Sequence, residues 1–146
     1  MRFLSYISNM TKNLDNFGLK SIADNYDLFF IDLWGVVHNG IKLYEDSIEV
    51  LDNLSKAKKN FILLTNAPRP NENVINFLKK IGLKKYFENV FTSGEAAHQY
   101  LVSELCKQKF FHIGPPRDFD LFNLFKKNKS SDLDESEYLL CTGLFD

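Results

Sequence analysis

The chain has 146 residues, the length of one compact domain. Its 18 basic and 19 acidic residues leave a net charge of −1, which offers no broad field for nucleic acid or an anionic membrane. A hydrophobic fraction of 45% with 25% charged residues is the composition of a core-forming chain, and excludes disordered, collagenous and disulfide-scaffold classes. No stretch approaches the ~20 apolar residues of a membrane span. The first ten residues also lack the apolar run of ~7–15 residues that a signal peptide needs. Cys106 and Cys141 are far apart and form no C-x-x-C pair, so a thiol-keeping, cytoplasmic location is expected.

In chain order, residues 1–20 read as a helical or irregular lead-in. The apolar run Leu28–Asp32 is the first expected strand. Asp46 and Glu49 then suit the cap and third position of a helix carrying Val50, Leu51 and Leu54. Phe61–Thr65 is the second strand. Pro70 suits a helix start, Val74, Phe77, Leu78 and Ile81 give a helical stripe, and Gly82 suits the stop. Asn89–Thr92 is the third strand, followed by Ser93 as cap of a helix with Ala97, Tyr100, Leu101 and Leu105. Phe110–Ile113 and Tyr138–Thr142 are two further strands. Between them Phe119, Phe122 and Phe125 have helical spacing, and the polar tract from Lys126 to Glu137 reads as a solvated loop.

Strand alternating with helix every ~30 residues implies βαβ units and a parallel sheet, hence an α/β fold of Rossmann type. Continuous apolar strands such as Leu28-Phe29-Phe30-Ile31 fit a sheet covered on both faces. In such sheets ligands bind beyond the carboxyl ends of the strands. Those ends carry Asp32 to Gly40, Thr65 to Arg69, and Thr92 to Glu95. If the first two strands are neighbours, a carboxylate, a hydroxyl, an amide and a turn of backbone N–H groups surround one point. That set suits phosphoryl transfer through an aspartyl intermediate: the carboxylate attacks phosphorus while N–H and hydroxyl groups hold the phosphoryl oxygens.

The segment Ile31-Asp32-Leu33-Trp34-Gly35-Val36-Val37-His38-Asn39-Gly40 resembles motif I of the haloacid dehalogenase superfamily, and Leu63-Leu64-Thr65-Asn66 resembles its motif II. The Thr-Asn-Ala-Pro-Arg continuation, Phe91–Glu95 and His112–Asp118 resemble the class IIA branch of NagD-like phosphatases. The resemblance covers about residues 20–146. It implies Asp32 as nucleophile, with its carboxylate and the Trp34 carbonyl as magnesium ligands. It implies Gly35, Thr65 and Asn66 as phosphate-binding residues and a small phosphorylated metabolite as substrate. It also implies residues 21–107 as the N-terminal part of the core and 108–146 as the start of a cap.

Two departures from that family shape the expected activity. Trp34 stands where most relatives place a second Asp as general acid and base, a role worth roughly 10²–10⁴ in rate. His38 is the nearest titratable replacement. The family's later Lys and its Gly-Asp motif are absent, and no Gly-Asp dipeptide occurs in the 146 residues. The chain therefore reads as the N-terminal portion of a longer enzyme, expected to be inactive alone and open to self-association through apolar surface. The alternative is a non-catalytic fragment or binding module that keeps the fold. A receiver-type signalling domain ranks lower, because Asp24 and Asp27 precede the first strand rather than end one. Outside the two motifs, Arg69 reads as a surface turn residue or phosphate contact, Glu95 as a first-turn helix acid, and His112 as structural.

Overall fold

The computed structural model describes residues 14–143. The expected lead-in at 1–20 lies largely outside that range; of it, α1 (Leu14–Phe17) is one helical turn, followed by short 3-10 turns. The strands fall within a residue of their expected bounds. β1 (Leu28–Asp32), β2 (Asn60–Thr65) and β3 (Val90–Thr92) form one parallel sheet in that order. β4 (Phe110–Ile113) and β5 (Tyr138–Cys141) form a second, two-stranded parallel sheet. The result is a mixed α/β fold with parallel strands, as the alternating pattern implies.

Each sheet has its own core. Leu63, Phe61 and Val90 from the first sheet pack with Leu51 and Leu54 of α2 (Glu45–Lys56) and Leu78 of α3 (Asn71–Lys80). A fully buried leucine of this kind contributes roughly 1.5–3 kcal/mol. In the second core Phe110 meets Phe122 and Phe125 edge-on, with Leu101 and Leu121 beside them. The helix α4 (Ser93–Tyr100) follows β3 directly and continues as a π-helical turn at Leu101–Leu105, where Leu101 enters the second core.

Three local expectations are corrected. α2 begins at Glu45, earlier than an Asp46 cap allows, and its N-cap Tyr44 makes no side-chain cap. A backbone bond from Tyr44 N–H to the Val37 carbonyl fixes the chain's entry there, which leaves Glu45 and Asp46 as first-turn acids at the positive end of the helix. α4 is capped by Thr92, not Ser93: the Thr92 hydroxyl accepts from Glu95 N–H at 2.8 Å. The phenylalanine stretch is not α-helical. Residues Pro116–Asn128 are 3-10 turns broken at Phe122 and Phe125, and this spacing buries those two rings but leaves Phe119 at the surface.

Candidate active site

Parallel pairing of β1 with β2 sets Asp32 opposite Leu64, so Thr65 follows one residue beyond on the neighbouring strand. Thr65 in turn pairs with Thr92 of β3. Asp32, Thr65, Asn66 and Ser93 line one cavity of about 510 Å³ at the carboxyl end of the sheet, with Phe30 and Phe91 among its apolar walls. The structure thus brings together the carboxylate, the hydroxyl and the amide of the sequence reading, whereas Gly35 of the following turn does not line this cavity.

The chain after Asp32 is a tight, self-bonded turn. Asp32 Oδ1 accepts from Leu33 N–H at 2.8 Å, and the Leu33 carbonyl accepts from Val37 and His38. Gly35 has a left-handed backbone, φ +78°, which favours glycine. Its N–H donates to the His38 carbonyl at 2.8 Å, so it holds the turn together. The loop then doubles back, pairing His38 with Leu43. Gly40 lies under the Trp34 ring, where an added Cβ would sit 2.6 Å from the indole.

His38 is buried between two aromatic edges, Trp34 at 5.6 Å and Phe77 at 5.3 Å. Its Nδ1 accepts from Gly40 N–H at 3.0 Å, which leaves the proton of the neutral ring on Nε2. Burial holds its pKa below the ordinary histidine value, and the nearby Asp32 charge opposes that shift only in part. The ring is therefore a neutral, oriented donor near Asp32 at neutral pH.

The loop after β2 is fastened to the start of α4. Ser93 Oγ and Gly94 N–H both donate to the Ala67 carbonyl, and the Thr92 hydroxyl donates to the Arg69 carbonyl. Asn71 completes the join: its Oδ1 accepts from Thr92 N–H and its own N–H donates to Glu95 Oε2. Gly94 admits this contact, since a Cβ there would lie 2.1 Å from Arg69 N. Glu95 is thus a first-turn acid, as its position suggests, with its carboxylate turned to the neighbouring helix. Sequence reasoning missed Thr92 and Asn71. The spacing Thr92-x-x-Glu95 is that of a capping box and could have pointed to the first; nothing local points to the second.

Arg69 reaches a carboxylate rather than open solvent alone. Its Nε lies 3.9 Å from Oδ1 of Asp118, which is 2% exposed, and Arg117 Nε lies 4.0 Å from the same oxygen. Asn73 of α3 donates to Asp120 at 2.9 Å. These contacts tie the turns after β4 to the loop after β2. At the end of β4, His112 Nε2 meets Thr142 Oγ1 at 2.9 Å, with burial holding the imidazole pKa low. This histidine is engaged within its own sheet.

For a metal, Asp32 offers an exposed carboxylate two residues before the carbonyl of Trp34. Both are hard oxygen donors of the type magnesium prefers. Among the described residues no group of three or more His, Cys, Asp or Glu side chains could hold a metal ion. The donors present therefore fit part of a magnesium site. No helix among the described residues is long and apolar enough to cross a membrane.

Comparison with known proteins agrees with this architecture. The haloacid dehalogenase-like hydrolase family matches residues 29–125, well over half of the chain. No curated protein sequence matches. Among solved structures, a haloacid dehalogenase-like hydrolase from Brucella suis 1330 is 29% identical with a TM-score of 0.73, over 94% of this chain and 50% of its own. Glycerol phosphate phosphatase from Mycobacterium tuberculosis, solved in complex with magnesium, is 22% identical with a TM-score of 0.60, over 85% and 38%. NagD from E. coli K-12 is 17% identical with a TM-score of 0.58, over 79% and 45%. The chain spans half the length or less of these structures. The family match, with Asp32 and Thr65 at adjacent strand ends, places the chain among the haloacid dehalogenase-like hydrolases.

Proposed function

We propose that the chain carries the nucleophile side of a magnesium-dependent phosphomonoester phosphatase that works through an aspartyl-phosphate. The observation that carries this reading is the shared cavity of Asp32, Thr65, Asn66 and Ser93 at the ends of β1, β2 and α4. An Asp32 carboxylate oxygen attacks phosphorus, the phosphorus–oxygen bond to the alcohol breaks, and the alcohol leaves with a proton from solvent. Water then attacks the phosphoryl group, releasing inorganic phosphate and restoring the carboxylate. The Thr65 hydroxyl and the Asn66 amide donate to the phosphoryl oxygens. The Asp32 carboxylate and the Trp34 carbonyl would hold magnesium, which would supply charge neutralisation for the transferring group.

An indole at position 34 exchanges no proton near neutral pH, so the second step is the slower one. The further positive and acidic groups of the family's site would come from polypeptide outside these 146 residues, and turnover by this chain alone is expected to be negligible. In the same reading, residues 21–107 are the N-terminal part of the core and 108–146 the start of a cap. The separate two-stranded sheet supports that division.

The test follows from the slow second step. Incubation with acetyl phosphate and magnesium should leave one phosphoryl group on Asp32, seen as an intact-mass increase, and Asp32→Asn should take up none. Equal labelling of the two proteins would overturn Asp32 as the nucleophile, and phosphate binding without any adduct in wild type would favour the competing reading. The competing reading, a binding module that keeps the fold without the reaction, predicts phosphate binding with no adduct.

A further inference from the structure

The loop that follows β2 carries Thr65 and Asn66 and continues as Ala67-Pro68-Arg69-Pro70. Each proline fixes its own φ, and Ala67 and Arg69, each preceding a proline, are biased to extended backbone. The stretch is therefore stiff, so a displacement of Arg69 is passed on to Ala67. Ala67 N–H in turn donates to Thr65 Oγ1 at 3.3 Å. The start of α4 holds this loop from one side, through the bonds from Ser93, Gly94 and Thr92 to the Ala67 and Arg69 carbonyls.

A second hold comes from the other sheet. Asp118, in the turns after β4, is 2% exposed, yet its Oδ1 makes no hydrogen bond. The Arg69 and Arg117 guanidinium groups lie 3.9 and 4.0 Å from that oxygen. A carboxylate withdrawn from water needs compensating cations, and at this depth the attraction is little screened by salt. Asp118 thereby draws the Arg69 side chain, itself 41% exposed, toward the second sheet.

We propose that Asp118 is a positioning residue for the phosphoryl site: it holds Arg69 and, through the stiff backbone of residues 67–70, sets Thr65 and Asn66 against the phosphoryl oxygens. The inference rests on the phosphoryl site proposed above. Asp118 acts through Arg69 and touches no ligand. The turn after β4 then tunes phosphate affinity from outside the cavity.

The test is the affinity for inorganic phosphate with magnesium present, measured by calorimetry. Deleting a negative charge from the surroundings of an anion would by itself tighten binding, whereas losing a positioning contact weakens it. Asp118→Asn should weaken phosphate about tenfold, the scale of coupling between interacting neighbours. Asp118→Leu, of similar volume and needing no polar partner, should do the same and serves where the amide folds poorly. Arg69→Met should lose about as much, and the double variant Asp118→Asn with Arg69→Met no more than about twofold beyond either single change. Arg69→Lys should recover most of that loss, since the contact to Oδ1 is ionic and not hydrogen-bonded. Asp120→Ala, which cuts a tie from the same turns to Asn73 of α3, should stay within about twofold of wild type.

Unchanged or tighter phosphate binding in the Asp118 variants would overturn the positioning role and leave the phosphoryl site standing. So would losses that multiply in the double variant, an equal loss in Asp120→Ala, or Arg69→Lys as weak as Arg69→Met. A wild type that binds no phosphate would sink the phosphoryl reading and the positioning role together.

Discussion

On one face of β1, Phe29 and Ile31 pack against the core built by α2 and α3, next to fully buried Leu63 and Leu78. On the other face Leu28 is 46% and Phe30 66% exposed, and Asp32 ends the row. The two rows have the same apolar character in sequence. Only one packs into the core among the described residues. A strand with large apolar residues on both sides is the pattern of a parallel sheet buried on both sides. The open face leads directly into the cavity that holds Asp32, so the surface lacking cover and the proposed site adjoin.

The sharpest way to break this contrast is to shorten a side chain on the covered face. Leu63→Ala should cost about 2–5 kcal/mol of unfolding free energy in urea denaturation, as for other leucines cut from a packed core. A cost below about 1 kcal/mol would show that the core relaxes to fill the space. Next in size is the join between the β2 loop and α4. Thr92→Ala removes the helix cap and the bond to the Arg69 carbonyl, and should cost about 1–2 kcal/mol, with Thr92→Ser restoring most of it.

Acidification should act more weakly. His38 and His112 both have pKa values held below the ordinary one by burial, so between neutrality and their folded pKa values the unfolded chain binds more protons. Stability must then fall as the pH drops below about 6.5, and His112→Gln should flatten part of that slope in thermal melts. A melting temperature that rises on mild acidification would contradict the burial of both rings. The smallest effect belongs to the open face. Phe30→Ser should change stability by no more than about 0.5 kcal/mol. A cost matching that of Leu63→Ala would mean that this face is covered in solution.

Much of the scaffold was legible in the chain. Short apolar runs separated by helical stripes locate the five strands of the described residues to within a residue, because strand identity depends on local pattern and length. The strand-end rule then singled out Asp32, Thr65 and Asn66, and neighbouring β1 and β2 bring them to one cavity. Less legible were contacts that join distant segments. Ser93 and Thr92 are both good caps, and the choice of Thr92 accompanies its bonds to Asn71 and Arg69, more than 20 residues away. The burial of Asp118 beside Arg69 has no signature in its own neighbourhood.

By itself, then, the amino-acid order determined the parallel α/β class, the strand positions and the family resemblance, since each follows from short-range periodicity or a contiguous motif. Only the tertiary structure decided that the strands divide into two sheets, that the Trp34 ring stands exposed over Gly40, and that one face of β1 is left open among the described residues. Those outcomes depend on which distant surfaces exclude water together, and no window of neighbouring residues contains that information.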